Sequence, residues 1–168
     1  MDEQHQKKLA NLCAHIAEQT LPRWHELPDL ELYMDQVLSL IERYLASYPG
    51  FDRKGLTASM VNNYVKLGVM PAPVRKRYTR VHLAYLIMIC VLKNSLPIDR
   101  IKLLLLQSIQ SSDEKSVYDK FCEEFEAAIR HAAGLDRNSF SLSDVYAAAL
   151  RAQAEQAVAL KLCETMLE

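Results

Sequence analysis

The sequence predicts an all-α protein. Alanine, leucine, lysine and glutamate are abundant, only four glycines are present, and alternating Val/Ile/Thr runs are absent. Helix formers therefore outweigh strand formers. Apolar residues recur at helical spacing along most of the chain. Half of the 168 residues are hydrophobic, enough for the core of one domain, or of a small domain with a helical extension.

The first helix is expected over about Gln4–Glu18, with Leu9, Leu12, Cys13 and Ile16 on one face and Pro22 as its stop. Trp24 and Pro28 fall in a linker, where the indole would anchor the arm to the core. A second helix is predicted from an Asp29 N-cap, its stripe Leu30, Tyr33, Met34, Val37, Leu38, Ile41 and Leu45 ending at Pro49-Gly50. After a turn over Gly50–Gly55, Thr57 caps a short helix that ends near Leu67, with Gly68 as its left-handed C-terminal residue. Met60, Val61, Tyr64 and Val65 point inward there. Pro71-Ala72-Pro73 forces a break, and Thr79 caps a fourth helix to about Lys93. Pro97 suits the first turn of a fifth, Ile98–Ile109. Ser112 or Asp113 opens a sixth, with Val117, Tyr118, Phe121, Phe125 and Ile129 inside and Gly134 as its stop. Ser141 or Ser143 opens an alanine-rich seventh that runs to about Met166.

Several function classes lack their signatures. The most apolar run, Leu83–Leu92, is too short to cross a membrane and reads as a buried helix. The N-terminus is polar and unlike a signal peptide, so a cytoplasmic protein is expected. The cysteines Cys13, Cys90, Cys122 and Cys163 are far apart and read as free thiols. Cys13-x-His15 is too isolated for zinc, and no metal or cofactor is expected. His82 reads as a satisfied or surface histidine, and Glu123, Glu124 and Glu126 as a solvated acidic face. No Gly-rich phosphate loop, Ser-His-Asp set or HExxH occurs, so no enzyme is expected.

Charge is unevenly distributed. Residues 53–82 carry seven bases (Arg53, Lys54, Lys66, Arg75, Lys76, Arg77, Arg80) and no acid. Residues 26–52 and 112–168 each carry a net −5. Such a block speaks to partners, and double-stranded DNA is the leading expectation, with an acidic protein as the other. Two amphipathic helices joined by a glycine-bearing turn form a candidate helix-turn-helix. Helix 58–67 would enter the major groove, offering Ser59, Asn62, Asn63, Tyr64 and Lys66; asparagine can pair bidentately with adenine. Arg75, Lys76, Arg77, Tyr78 and Arg80, in or beside the basic loop 71–80, would grip the phosphate backbone.

The run Met60-Val61-Asn62-Asn63-Tyr64-Val65-Lys66-Leu67-Gly68-Val69-Met70-Pro71 resembles the recognition helix of MerR-type winged-helix regulators. Arg75-x-x-Tyr78 falls near the end of that family's wing, and Ile98–Leu104 resembles the segment after it. The likeness spans Leu56–Leu105 and implies a MerR-like helix-turn-helix core with the wing shortened or absent. The family's Arg and first Tyr are Asn62 and Asn63 here, and Arg77 replaces the wing glycine. Leu27–Val37 together with Leu56–Tyr64 is also similar to a bacterial family described only as domain of unknown function 1836, over roughly Leu21–Leu105.

The expected organisation is thus an N-terminal helical arm (1–25), a MerR-like helix-turn-helix domain (26–110) and a C-terminal two-helix extension (111–168) for dimerisation or an effector. The expected function is a DNA-binding transcriptional regulator, homodimeric through its C-terminal helices, with no small-molecule effector identifiable. The alternative is a helical protein-interaction adaptor whose basic patch binds an acidic partner.

Overall fold

A computed structural model describes residues 3–46, 48, 55–134 and 141–166. Its regular elements there are helices: α1 (Glu3–Ala17), a 3₁₀ turn (Trp24–Glu26), α2 (Met34–Leu45), α3 (Ala58–Lys66), α4 (Arg80–Leu92), α5 (Ile98–Ser111), α6 (Glu114–Ala133) and α7 (Leu142–Met166). Beside them stand two isolated antiparallel bridges, Leu32 with Tyr78 and Val74 with Arg77.

Helix α4 is the axis of the core. His82 through Cys90 are all buried, because the segment is apolar on every side and other elements enclose it. Helices α2 and α6 pack on it, α3 packs on α2, and α1 lies along α6. The thiols of Cys90 and Cys122 are buried in this core, and desolvation pushes each up to about 11. They are inert packing groups.

Three of the predicted boundary residues hold. Thr57 accepts from the Met60 amide at 3.3 Å, Asp113 caps α6 through the Ser116 amide at 3.0 Å, and Gly134 stops α6 at φ +57°.

Two expectations need correction. Helix α2 begins at Met34, not after an Asp29 cap. Leu32 exchanges both backbone hydrogen bonds with Tyr78 (2.8 and 2.9 Å), which keeps the segment before Met34 extended. Leu32 is buried, while Leu30 and Tyr33 of the predicted stripe face solvent at 58% and 51% exposure. Glu126 is not part of a solvated face. It is 5% exposed and takes a bidentate pair from Arg23 (2.8 and 2.7 Å) plus the Leu21 amide at 3.1 Å. Nearby, the Trp24 amide donates to Asp119 (2.8 Å) and the Tyr118 hydroxyl to the Pro22 carbonyl (2.8 Å). Residues 21–24 are therefore strapped to α6, with the Trp24 ring edge-on to Tyr118. The Pro49-Gly50 stop, most of the turn after it, Arg53 and Lys54 lie outside the described residues.

Candidate nucleic-acid interface

Helix α3 is short and amphipathic. Val61 and Tyr64 are buried; Ser59, Asn62, Asn63 and Lys66 are exposed at i, i+3, i+4 and i+7 and so share one face. That face offers one hydroxyl, two amides and one ammonium. Its C-terminus closes as a Schellman motif: the Gly68 amide donates to Val65 (3.0 Å) and the Val69 amide to Tyr64 (2.9 Å). Gly68 makes this possible at φ +67°. The Lys102 ammonium of α5 donates to the Leu67 carbonyl at 2.8 Å, a cation at the negative end of the helix.

Residues 67–74 join α3 to a second exposed feature. Val69 and Met70 within this link are buried, which ties both features to one core. Val74-Arg75-Lys76-Arg77 then forms a two-residue β-turn, the Arg77 amide donating to the Val74 carbonyl at 2.9 Å. Arg75 and Lys76 have φ of +51° and +62°. Positive φ at both central positions is the pattern of a type I′ hairpin turn, normally filled by Asn and Gly. Here both residues are bases, and both are exposed.

The remaining predicted residues divide. The Arg77 guanidinium lies 3.6 Å from the Tyr33 ring centroid, a stacked cation–π contact. Arg80 turns inward: its Nε donates to the Leu27 carbonyl at 3.0 Å, its guanidinium lies 3.8 Å from Asp29 and 5.9 Å from the Trp24 ring, and its side chain is 20% exposed. It clamps the 27–29 linker and is not presented to a ligand. Tyr64 and Tyr78 also need correction. At 6% and 3% exposure they belong to the core, and burial raises both phenols above their ordinary value. The outward set is Ser59, Asn62, Asn63, Lys66, Arg75 and Lys76, with Arg77 held at its edge. Sequence spacing identified that set, but it carried no sign of Tyr33 beneath Arg77 or of Lys102 on α3, because both partners arrive from distant segments.

His82 lies beneath the turn. Its Nδ1 accepts from the Thr79 amide at 3.0 Å, completing the first turn of α4, and its ring meets Tyr78 edge-on at 5.4 Å. With Nδ1 an acceptor, the neutral ring carries its hydrogen on Nε2. That nitrogen is buried without a hydrogen bond. Burial lowers the His82 pKa, and the backbone of Ala72 partly offsets this without meeting hydrogen-bond geometry.

Among the described residues, no group of three or more His, Cys, Asp or Glu is placed to hold a metal, and no helix is long and apolar enough to cross a membrane. Residues 22–125 match the sequence model of a family described as Domain of unknown function (DUF1836), and the chain belongs to that family. No curated protein and no solved structure matches it.

Proposed function

We propose that this member of the DUF1836 family is a double-stranded-DNA-binding regulator with a reduced MerR-like helix-turn-helix. In this reading α3 enters the major groove and turn 74–77 serves as a minimal wing on the phosphate backbone. The observation that carries it is the pair Arg75 and Lys76, both left-handed and both exposed at the tip of the turn. A left-handed backbone costs an L-residue about 1–2 kcal/mol. Bases retained where Gly or Asn would fit more cheaply point to a charge needed at that spot. The outward face of α3 supplies what a reading helix requires: short polar groups for base edges and Lys66 for a phosphate. The connection between α2 and α3, residues 46–57, is longer than a helix-turn-helix turn, so the module would be a variant of that motif.

The test is selection of duplex genomic fragments by the full chain, followed by sequencing. Enrichment of a common sequence is expected. No enrichment, with affinity for random duplex weaker than about 10⁻⁴ M at physiological salt, would refute the reading. Arg75→Ala and Lys76→Ala should weaken binding to all sequences alike. Asn62→Ala or Asn63→Ala should relax discrimination at one base pair by about 1–3 kcal/mol.

A homodimer through α7 belongs to the same proposal, since one small module buries little surface on DNA. It is supported by Val145, Tyr146, Leu150, Val158, Leu162 and Met166, exposed by 53–73% along that helix. A monomeric mass for the full chain at tens of micromolar would count against it.

One observation favours the alternative, an adaptor for an acidic protein. Tyr33 and Val74, exposed by 51% and 73%, flank Arg77 and add apolar surface to the basic tip. Tyr33→Ala separates the readings: it should leave duplex affinity within about twofold and weaken a protein partner markedly.

A further inference from the structure

A cleft of about 460 Å³ lies among α4, α5 and α6, away from the α3 face and the basic turn. Its floor is apolar: Met88 and Leu92 from α4, Leu104 and Leu105 from α5, and Phe121 from α6. Met88 and Leu105 are almost fully buried, so the cleft reaches the core. The volume falls within the range of small-molecule sites, about 300–1,000 Å³. The rim is polar. It holds the hydroxyls of Ser108 and Ser112, which make no side-chain hydrogen bond among the described residues. It also holds Lys120 and Glu124, neither in an ion pair among those residues. One base and one acid give the rim no net charge. Its complement is an uncharged occupant, because an ion would meet a like charge as readily as an opposite one.

Helix α5 joins this cleft to α3. Leu104, Leu105 and Ser108 line the cleft, and Lys102, less than a turn before Leu104, holds the Leu67 carbonyl at the end of α3.

We infer that the α4–α5–α6 cleft binds a small uncharged molecule with an apolar body and a hydroxyl or carbonyl end, and that its occupancy stiffens α3 through the Lys102 contact. The binding stands apart from the DNA reading; its meaning as regulation rests on it.

The probe is Nile red, an uncharged dye that brightens in apolar surroundings, titrated into the full chain and displaced with 1-decanol. One saturable site per chain is expected. Ser108→Trp, which fills the cleft from α5, should weaken dye binding at least tenfold, and Leu150→Ser at an exposed position of α7 should leave it unchanged. If Ser108→Trp fails to fold, Ser112→Phe at the rim serves the same purpose. Absence of a saturable site would overturn the inference, as would binding that survives both cleft variants. Loss of the dye on Leu150→Ser would overturn it too, by assigning the dye to α7 or to a second copy seated there. With 1-decanol bound, amide exchange across Asn62–Leu67 should slow in the unaltered chain and not in Lys102→Ala. Equal response in both would sink the coupling to α3. No arm uses a duplex, so failure of the DNA reading leaves these outcomes unaffected.

Discussion

In the DNA reading, Arg75 and Lys76 set function against stability in two adjacent residues. Their left-handed backbone is strained whatever the side chain, provided a Cβ is present. Glycine removes the strain, at the cost of a more flexible unfolded chain. The double change to glycine should therefore raise stability by about 1 kcal/mol in urea unfolding, while the double change to alanine should not. In the DNA reading both variants lose duplex affinity, so the glycine variant would be the more stable and the less active. If glycine destabilised the chain, strain at this turn would not be what the bases overcome. Both bases and their exposure could be foreseen from the sequence, but the positive φ could not. It belongs to the two-residue turn that pairs Val74 with Arg77.

His82 makes a pH-dependent contribution of its own. Its folded pKa lies below the ordinary 6.5, so at mildly acidic pH the unfolded chain binds the extra proton and the folded chain does not. Stability from this residue is complete above about pH 6.5 and falls as the pH drops toward the folded value. Protonation would also place a hydrogen on Nδ1, where the Thr79 amide now donates. Urea unfolding at pH 7.5 and 5.5 should show a loss in the unaltered chain that His82→Gln reduces. An equal loss in both would assign the pH dependence elsewhere.

At the scale of the helices, boundaries set by a local cap are more legible than one that depends on a distant partner. Thr57, Gly68, Pro97, Asp113 and Gly134 all stand at or beside the boundaries they signal, because a cap is satisfied within one turn of chain. The start of α2 was misplaced, since the segment before it pairs with Tyr78 across forty-odd residues. The end of α3 combines both kinds of control. Gly68 supplies the left-handed residue locally, and Lys102 supplies the cation from α5. Gly68→Ala should cost about 1–2 kcal/mol by thermal unfolding, because the new Cβ adds strain at φ +67° and sits 3.2 Å from the Lys102 Nζ. A cost under about 0.3 kcal/mol would mean the motif relaxes freely. Lys102 is the end of a flexible side chain and can move aside, so most of the cost should come from φ.

Across the whole molecule, the N-terminal segment is held to α6 by the buried Glu126. Arg23 pairs with it through both nitrogens, and the Leu21 amide completes its coordination. The pair pushes the Arg23 guanidinium above its already high ordinary pKa, its hydrogen bonds to Glu126 outweighing the penalty of burial. Removing a buried acceptor of this kind leaves a cation and an amide unpaired. Arg23 reaches solvent in part, which limits the penalty. Glu126→Ala should therefore cost about 2–3 kcal/mol in urea unfolding, while Glu123→Ala on the exposed face should stay within about 0.5 kcal/mol. Equal effects would deny Glu126 its structural role.

By itself the sequence determined what depends on neighbours in the chain. It set the helical class, the caps, the buried character of α4 and the polar outward face of α3, because helical period and capping act within a few residues. Tertiary structure decided what depends on partners far apart. It buried Glu126 against Arg23, drew Arg80 onto Leu27, stacked Arg77 on Tyr33 and turned Tyr78 into the core. The basic block therefore narrows, among the described residues, to Lys66, Arg75 and Lys76 free at the surface. Formal charge is additive along a chain, but the charge a partner meets depends on which side chains the fold has already engaged.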